Sequence, residues 1–93
     1  MTTPVTVILR LAAKDPEATT AALRETYDGT MAAEGIRSYD IRRDQGRQDE
    51  IVLVQSWDSR AQQEAYIAWR AEQGDLTKLV AGLTRPPEAS YLV

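Results

Sequence analysis

The stretch IVLVQSW, residues 51–57, is apolar for four residues and then ends in Gln55, Ser56 and Trp57. Ile51, Leu53, Gln55 and Trp57 fall on one side of a strand. That side is apolar at one end and hydrogen-bonding at the other, as a pocket for a flat aromatic guest requires. Tyr66 and Trp69 are three residues apart and Tyr66 and Arg70 four apart, so on a helix the three are neighbours. A guanidinium beside an indole and a phenol can stabilise an anionic aromatic by charge and stacking. Arg70 or Arg10, with Gln55 and the Trp57 indole N–H, would hold a phenolate or enolate oxygen. Tyr39 or Tyr66 could relay the proton. The protein then contributes desolvation, orientation and electrostatics.

The chain has no histidine and no cysteine. This removes the usual general base, the usual transition-metal and haem ligand, and any disulfide, thiolate or zinc–sulfur site. A substrate that supplies its own electrons suits such a chain. With a net charge of −3, nucleic acid is not an expected partner. No run of about 20 apolar residues suggests a membrane span, and the N-terminus lacks the basic-then-apolar pattern of a leader. The cytoplasm is therefore the expected compartment. Ninety-three residues, 43% hydrophobic and 27% charged, fit one globular domain over 1–93. A domain this small buries only about 60–65% of its unfolded surface, so pairing with a second copy would help it.

The elements that must position these residues read as β-α-β-β-α-β. Residues 5–12, VTVILRLA, form a β-branched strand. Asp15 can cap a helix that has Pro16 and Glu17 in its first turn. That helix is expected to run to about Ala33, with Ala22, Leu23, Thr26, Tyr27, Thr30 and Met31 as its buried stripe. Residues 36–43 and 50–57 form a hairpin around the polar turn DQGRQD. Ser59 and Gln62 fit a capping box, and the helix they open stops near Gly74. Asp75 is expected to cap a short second piece bearing Leu76, Leu79, Val80 and Leu83. TRPPE breaks it, and ASYLV is a last strand. This order specifies an α+β, ferredoxin-like fold: a four-stranded antiparallel sheet with both helices on one face. Val5, Val7, Leu9, Leu11, Ile51, Val52, Leu53 and Val54 leave apolar side chains on both sides of the strands. The uncovered face is expected to pack on a second copy as a homodimer.

The same residues have plainer readings. Trp57 can be a core plug, Tyr66 and Trp69 can be packing, Arg70 can complement a helix C-terminus, and Gln55 can pair with backbone. Tyr39 could lie in a dimer interface. Arg37, Arg42, Arg43 and Arg47, interleaved with Asp40, Asp44, Asp49 and Glu50, read as a solvated hairpin rather than an anion site.

Taken together, EGIRSYDIRRD, VQSWDSRAQQEAYIAWRAEQG and PPEASYLV resemble the antibiotic biosynthesis monooxygenase (ABM) domain family over essentially the whole chain. The resemblance implies a dimeric α+β barrel and a pocket between sheet and helices in each subunit. It implies O2 as co-substrate, no metal or flavin, and oxidation of phenolic or anthrone-type polyketides, or of quinols, in secondary metabolism. Trp57 takes the tryptophan position at the end of the third strand. Leu53 stands where an Asn often sits, and Gln55 is the nearest amide on that face. Trp69 stands where many relatives carry a His, which excludes the haem-degrading branch. The implied catalytic set is Trp57, Arg70, Tyr66 and Gln55; Tyr39, Trp69, Arg10, Tyr27 and Leu53 are expected around the substrate. A non-redox cyclase or isomerase, or a small-molecule-binding accessory dimer, remains open on the same scaffold.

Overall fold

The computed structural model describes residues 3–93. Its elements are β1 (Val5–Ala12), α1 (Pro16–Glu25), α2 (Tyr27–Met31), β2 (Ile36–Arg43), β3 (Glu50–Trp57), α3 (Arg60–Glu72), α4 (Asp75–Ala81) and β4 (Glu88–Leu92). The four strands form one antiparallel sheet in the order β2-β3-β1-β4. The expected ferredoxin-like α+β fold is the fold observed.

Alternation along the strands sorts the side chains between the two faces. Val5 lies opposite Trp57, Val7 opposite Gln55, Leu9 opposite Leu53 and Leu11 opposite Ile51. Tyr39 is opposite Gln55 and Ile41 opposite Leu53. These residues face the helices and build the core. One cluster gathers Leu11, Tyr39, Ile51 and Leu53 with Leu23, Tyr27 and Leu79 from the helices. A second gathers Val5, Val7 and Trp57 with Tyr66 and Tyr91. Burying each large apolar side chain contributes roughly 1.5–3 kcal/mol. The other face carries half-buried Ile8, Val52 and Val54 and the 48%-exposed Leu92 among polar neighbours.

Helix ends obey local chemistry. Asp15 accepts from Ala18 N at 3.2 Å, with Pro16 in the first turn. Ser59 Oγ accepts from Gln62 N at 3.2 Å, while the Gln62 amide turns to Ser59 Oγ and packs over Gly35, whose φ of +94° no side chain adopts easily. Two expectations change. The first helix breaks at Thr26 (φ −96°, ψ 3°), so the stripe continues on a separate α2. The Thr26 hydroxyl bonds back to Leu23 C=O at 3.1 Å, and Gly29 lowers the helix propensity of the next turn. Asp75 does not cap α4. Left-handed Gly74 takes that position, and the Asp75 carboxylate pairs with Arg70 instead. Leu83 lies past α4, bridged to Ala13.

The hairpin is less solvated than its composition suggests. Asp44 closes the turn by accepting from Gly46 N at 2.8 Å and Arg47 N at 3.2 Å. The Gly46 bond, more than the neighbouring Arg10 charge, holds its carboxyl below the usual range. Glu50 is buried on the face away from the helices. Its carboxylate meets Arg10 and Arg47 at 3.4 Å and Arg85 at 3.6 Å.

Candidate functional site

A cavity of about 580 Å³ lies between the sheet and the helices. Leu9, Leu11 and Leu53 form its apolar floor, and Leu23, Ile67, Leu76 and Leu79 close it from the helices. Tyr39, Gln55, Thr30, Tyr66 and Arg70 bring polar groups to the same space, with Glu25, Asp75 and Lys78 also at its wall. A smaller hollow of about 330 Å³ at the strand ends is lined by Pro4, Val5, Thr6, Arg37, Ser38, Ser56 and Trp57. It lacks the apolar walls that hold a flat guest, so the larger cavity is the candidate site.

The break after α1 sets up the polar corner. Arg70 donates from Nε to Tyr66 Oη at 2.6 Å, from Nη1 to Asp75 Oδ2 at 2.8 Å and from Nη2 to Thr26 O at 3.3 Å. A Cβ on Gly29 would come within 3.1 Å of Nη2, so the glycine leaves the space the guanidinium uses. Tyr66 Oη is 2.5 Å from Thr30 Oγ1, which is 3.2 Å from Thr26 O. The direction of these bonds is fixed. A carbonyl only accepts, so Thr30 donates to Thr26; Arg70 only donates, so Tyr66 accepts from it and passes its own proton to Thr30. The corner is a closed ring through Arg70, Tyr66, Thr30 and the Thr26 carbonyl. Burial works to lower the Arg70 pKa, but the bonds to Tyr66 and Asp75 outweigh it and raise the value, so the guanidinium stays charged. Burial, reinforced by Tyr66, pushes the Tyr39 phenol up to about 12.

Among the described residues, no group of three or more His, Cys, Asp or Glu is placed to hold a metal ion. No helix among them is long and apolar enough to cross a membrane.

Residues 4–74 match the family model described as antibiotic biosynthesis monooxygenase. The chain belongs to that family. Its fold is similar to that of Rv0793 from Mycobacterium tuberculosis: TM-score 0.83, 28% identity, 98% of this chain and 94% of that one covered. It is also similar to SnoaB, a cofactor-independent oxygenase from Streptomyces nogalater, with TM-score 0.80 and 16% identity over 97% of this chain and 91% of that one. Protein SO0527 from Shewanella oneidensis gives 0.83 and 16%, covering 98% and 90%. No curated protein matches the sequence. At 16% identity, the likenesses to SnoaB and SO0527 show the fold alone.

In this ABM-family chain the structure brings Gln55, Leu53, Tyr39, Tyr66 and Arg70 to one cavity. Other expected positions need correction. Trp57 is fully buried against Val5, Val7 and Tyr66 and does not line the cavity; its N–H goes to Gln55 Oε1 at 2.9 Å. Arg10 points to the opposite sheet face, because it alternates with Leu9 and Leu11, and pairs with Asp44 and Glu50. Trp69 is 48% exposed and lies outside the cavity, its ring 5.0 Å from the Arg70 guanidinium carbon. Tyr27 stands one layer back, stacked on Tyr39 at 5.2 Å. Thr30, Asp75, Gly29 and the Thr26 carbonyl were not singled out as site groups in the sequence. The one available signal was Gly29 inside a helical stretch, where an unforced glycine costs about 1 kcal/mol.

Proposed function

We propose that the chain is a cofactor-independent oxygenase that oxidises a planar phenolic or anthrone-type polyketide, or a quinol, with O2. The observation that carries this reading is the cavity itself: about 580 Å³, with apolar walls and Tyr39, Gln55, Tyr66 and Arg70 gathered at one side. That space suits a tricyclic aromatic, and the charged corner favours its delocalised anion. For an anthrone, a proton leaves the ring CH2. The resulting carbanion passes one electron to O2, and the radical pair joins as a C–O bond. The peroxide takes back the proton and loses water, leaving the quinone carbonyl; the sum is CH2 plus O2 to C=O plus H2O. The protein supplies desolvation and orientation for these steps. SnoaB, of the same fold, is itself a cofactor-independent oxygenase.

Residues 1–93 act in this reading as one domain in the cytoplasm. A second copy covers the face that carries Ile8, Val52, Val54 and Leu92, giving the dimeric α+β barrel. Light scattering at micromolar concentration should return a dimer mass.

The test is turnover of anthrones and hydroquinones under air and under argon. O2 uptake matched to quinone formation, indifferent to chelators and slowed by Arg70→Ala, is the expected result. Turnover that persists under argon would instead assign a non-redox cyclase or isomerase. Binding without product would assign an accessory protein.

A further inference from the structure

The direction of the hydrogen bonds around the cavity decides which side chains can still donate to a guest. The Trp57 indole has one N–H and no acceptor. It gives that N–H to Gln55 Oε1 at 2.9 Å, which fixes the amide with its oxygen toward the indole and both Nε2 protons uncommitted to it. Gln55 is 3% exposed and lines the cavity. Directly across the β2–β3 pairing stands Tyr39, 5% exposed and lining the same cavity, its ring held by stacking on Tyr27. Its hydroxyl makes no hydrogen bond among the described residues. Burial keeps that phenol protonated far above neutral pH, as a donor must be. The other buried donors are more committed: the Tyr66 hydroxyl donates to Thr30, and Arg70 donates once from each of its three nitrogens, keeping two of its five N–H bonds, with its charge set against Asp75. Lys78, also at the wall, is exposed.

We propose that Gln55 Nε2 and Tyr39 Oη form a two-donor seat for one acceptor oxygen of the substrate, a ring carbonyl or its enolate, with Trp57 as the positioning residue that holds the amide. This rests on the cavity being the substrate site and adds which atom is recognised. Cross-strand neighbours on one face have Cβ atoms about 4.5–5.5 Å apart, close enough for two donors to converge on a single oxygen. Two neutral donors suit a ketone or a delocalised enolate better than a carboxylate, whose full charge would find the nearby guanidinium already paired.

The seat is tested by equilibrium dialysis under argon with anthrone and with 9,10-dihydroanthracene, the same tricycle without the carbonyl oxygen. The protein should prefer anthrone by about tenfold, the worth of one to two good hydrogen bonds. Tyr39→Phe and Gln55→Leu should each remove most of that preference while leaving dihydroanthracene affinity nearly unchanged. Trp57→Phe should reduce the preference partly, because the amide is then free to turn; a merely structural loss would weaken both ligands alike. Tyr39→Phe keeps its ring packing, so it carries the test if Gln55→Leu does not fold. Equal affinity of the wild type for both tricycles, no binding of either, or an unchanged preference in Tyr39→Phe overturns the seat. Because O2 is excluded, a protein that shows the preference but never turns over in air loses the oxygenase reading and keeps the seat. One that turns over with no preference loses only the seat.

Discussion

The two faces of the sheet both bury polar side chains, on opposite terms. On the face away from the helices, Glu50 is 1% exposed, and its two oxygens are met by three guanidiniums within 3.6 Å. Each oxygen accepts from an arginine and the charge is fully compensated, as a structural ion cluster requires. On the helix face, Gln55 and Tyr39 are almost as buried, yet the amide protons and the phenol are not used up by the protein. A buried polar group with complete partners holds a fold together; one with incomplete partners around an empty space is placed for a guest. The same contrast separates Arg10 from Arg70. Both are paired with carboxylates, but only Arg70 reaches the cavity.

If the Glu50 cluster is structural, its cost should be lopsided. Removing two of its cations in Arg10→Ala/Arg85→Ala leaves a buried carboxylate under-compensated and should cost about 3 kcal/mol, read from urea midpoints. Glu50→Ala should cost less, because the freed arginines are 43–69% exposed and rehydrate. The reverse ranking would break the comparison. Folded protein of either variant should bind anthrone as the wild type does.

Tyr39 gives the helix face its own signature. Its folded pKa of about 12 lies above the ordinary phenol value of 10.0. The stability tied to its neutral form is therefore fully present below pH 10 and is lost as pH rises from 10 through 12. The loss should amount to roughly 2–3 kcal/mol. The difference between wild type and Tyr39→Phe across that window isolates it; parallel curves would show a phenol more hydrated than its burial implies.

Gly29→Ala sharpens the comparison from the helix side. Alanine should add about 0.5–1 kcal/mol to α2 through helix propensity. It should also push the Arg70 guanidinium aside by a few tenths of an ångström and slow turnover several-fold. A more stable yet slower protein is the expected pairing, with melting and O2 uptake as the readouts. The smallest effect belongs to a residue serving neither cluster. Asp15→Ala removes the cap of α1 and should cost about 0.5–1 kcal/mol in thermal unfolding, with ligand preference unmoved.

Much of this arrangement was legible in the chain. The extents of β1, β2 and β3, the caps at Asp15 and Ser59 and the shared face of Leu53, Gln55 and Trp57 all come from alternation, capping chemistry and turn residues. Each of these is a rule about residues a few positions apart. The absence of His and Cys likewise restricted the chemistry before any fold was known. Partner choice was not legible. That the Trp57 N–H goes to Gln55 rather than to a guest, that Asp75 leaves its cap for Arg70, that Thr26 interrupts a helix and lends its carbonyl to the same arginine, and that Glu50 is buried among three cations were decided by the tertiary structure. The physical reason is that periodicity assigns a side chain to a face, while a hydrogen bond needs a partner within about 3 Å in the right direction. Which segments come that close depends on how the whole chain packs.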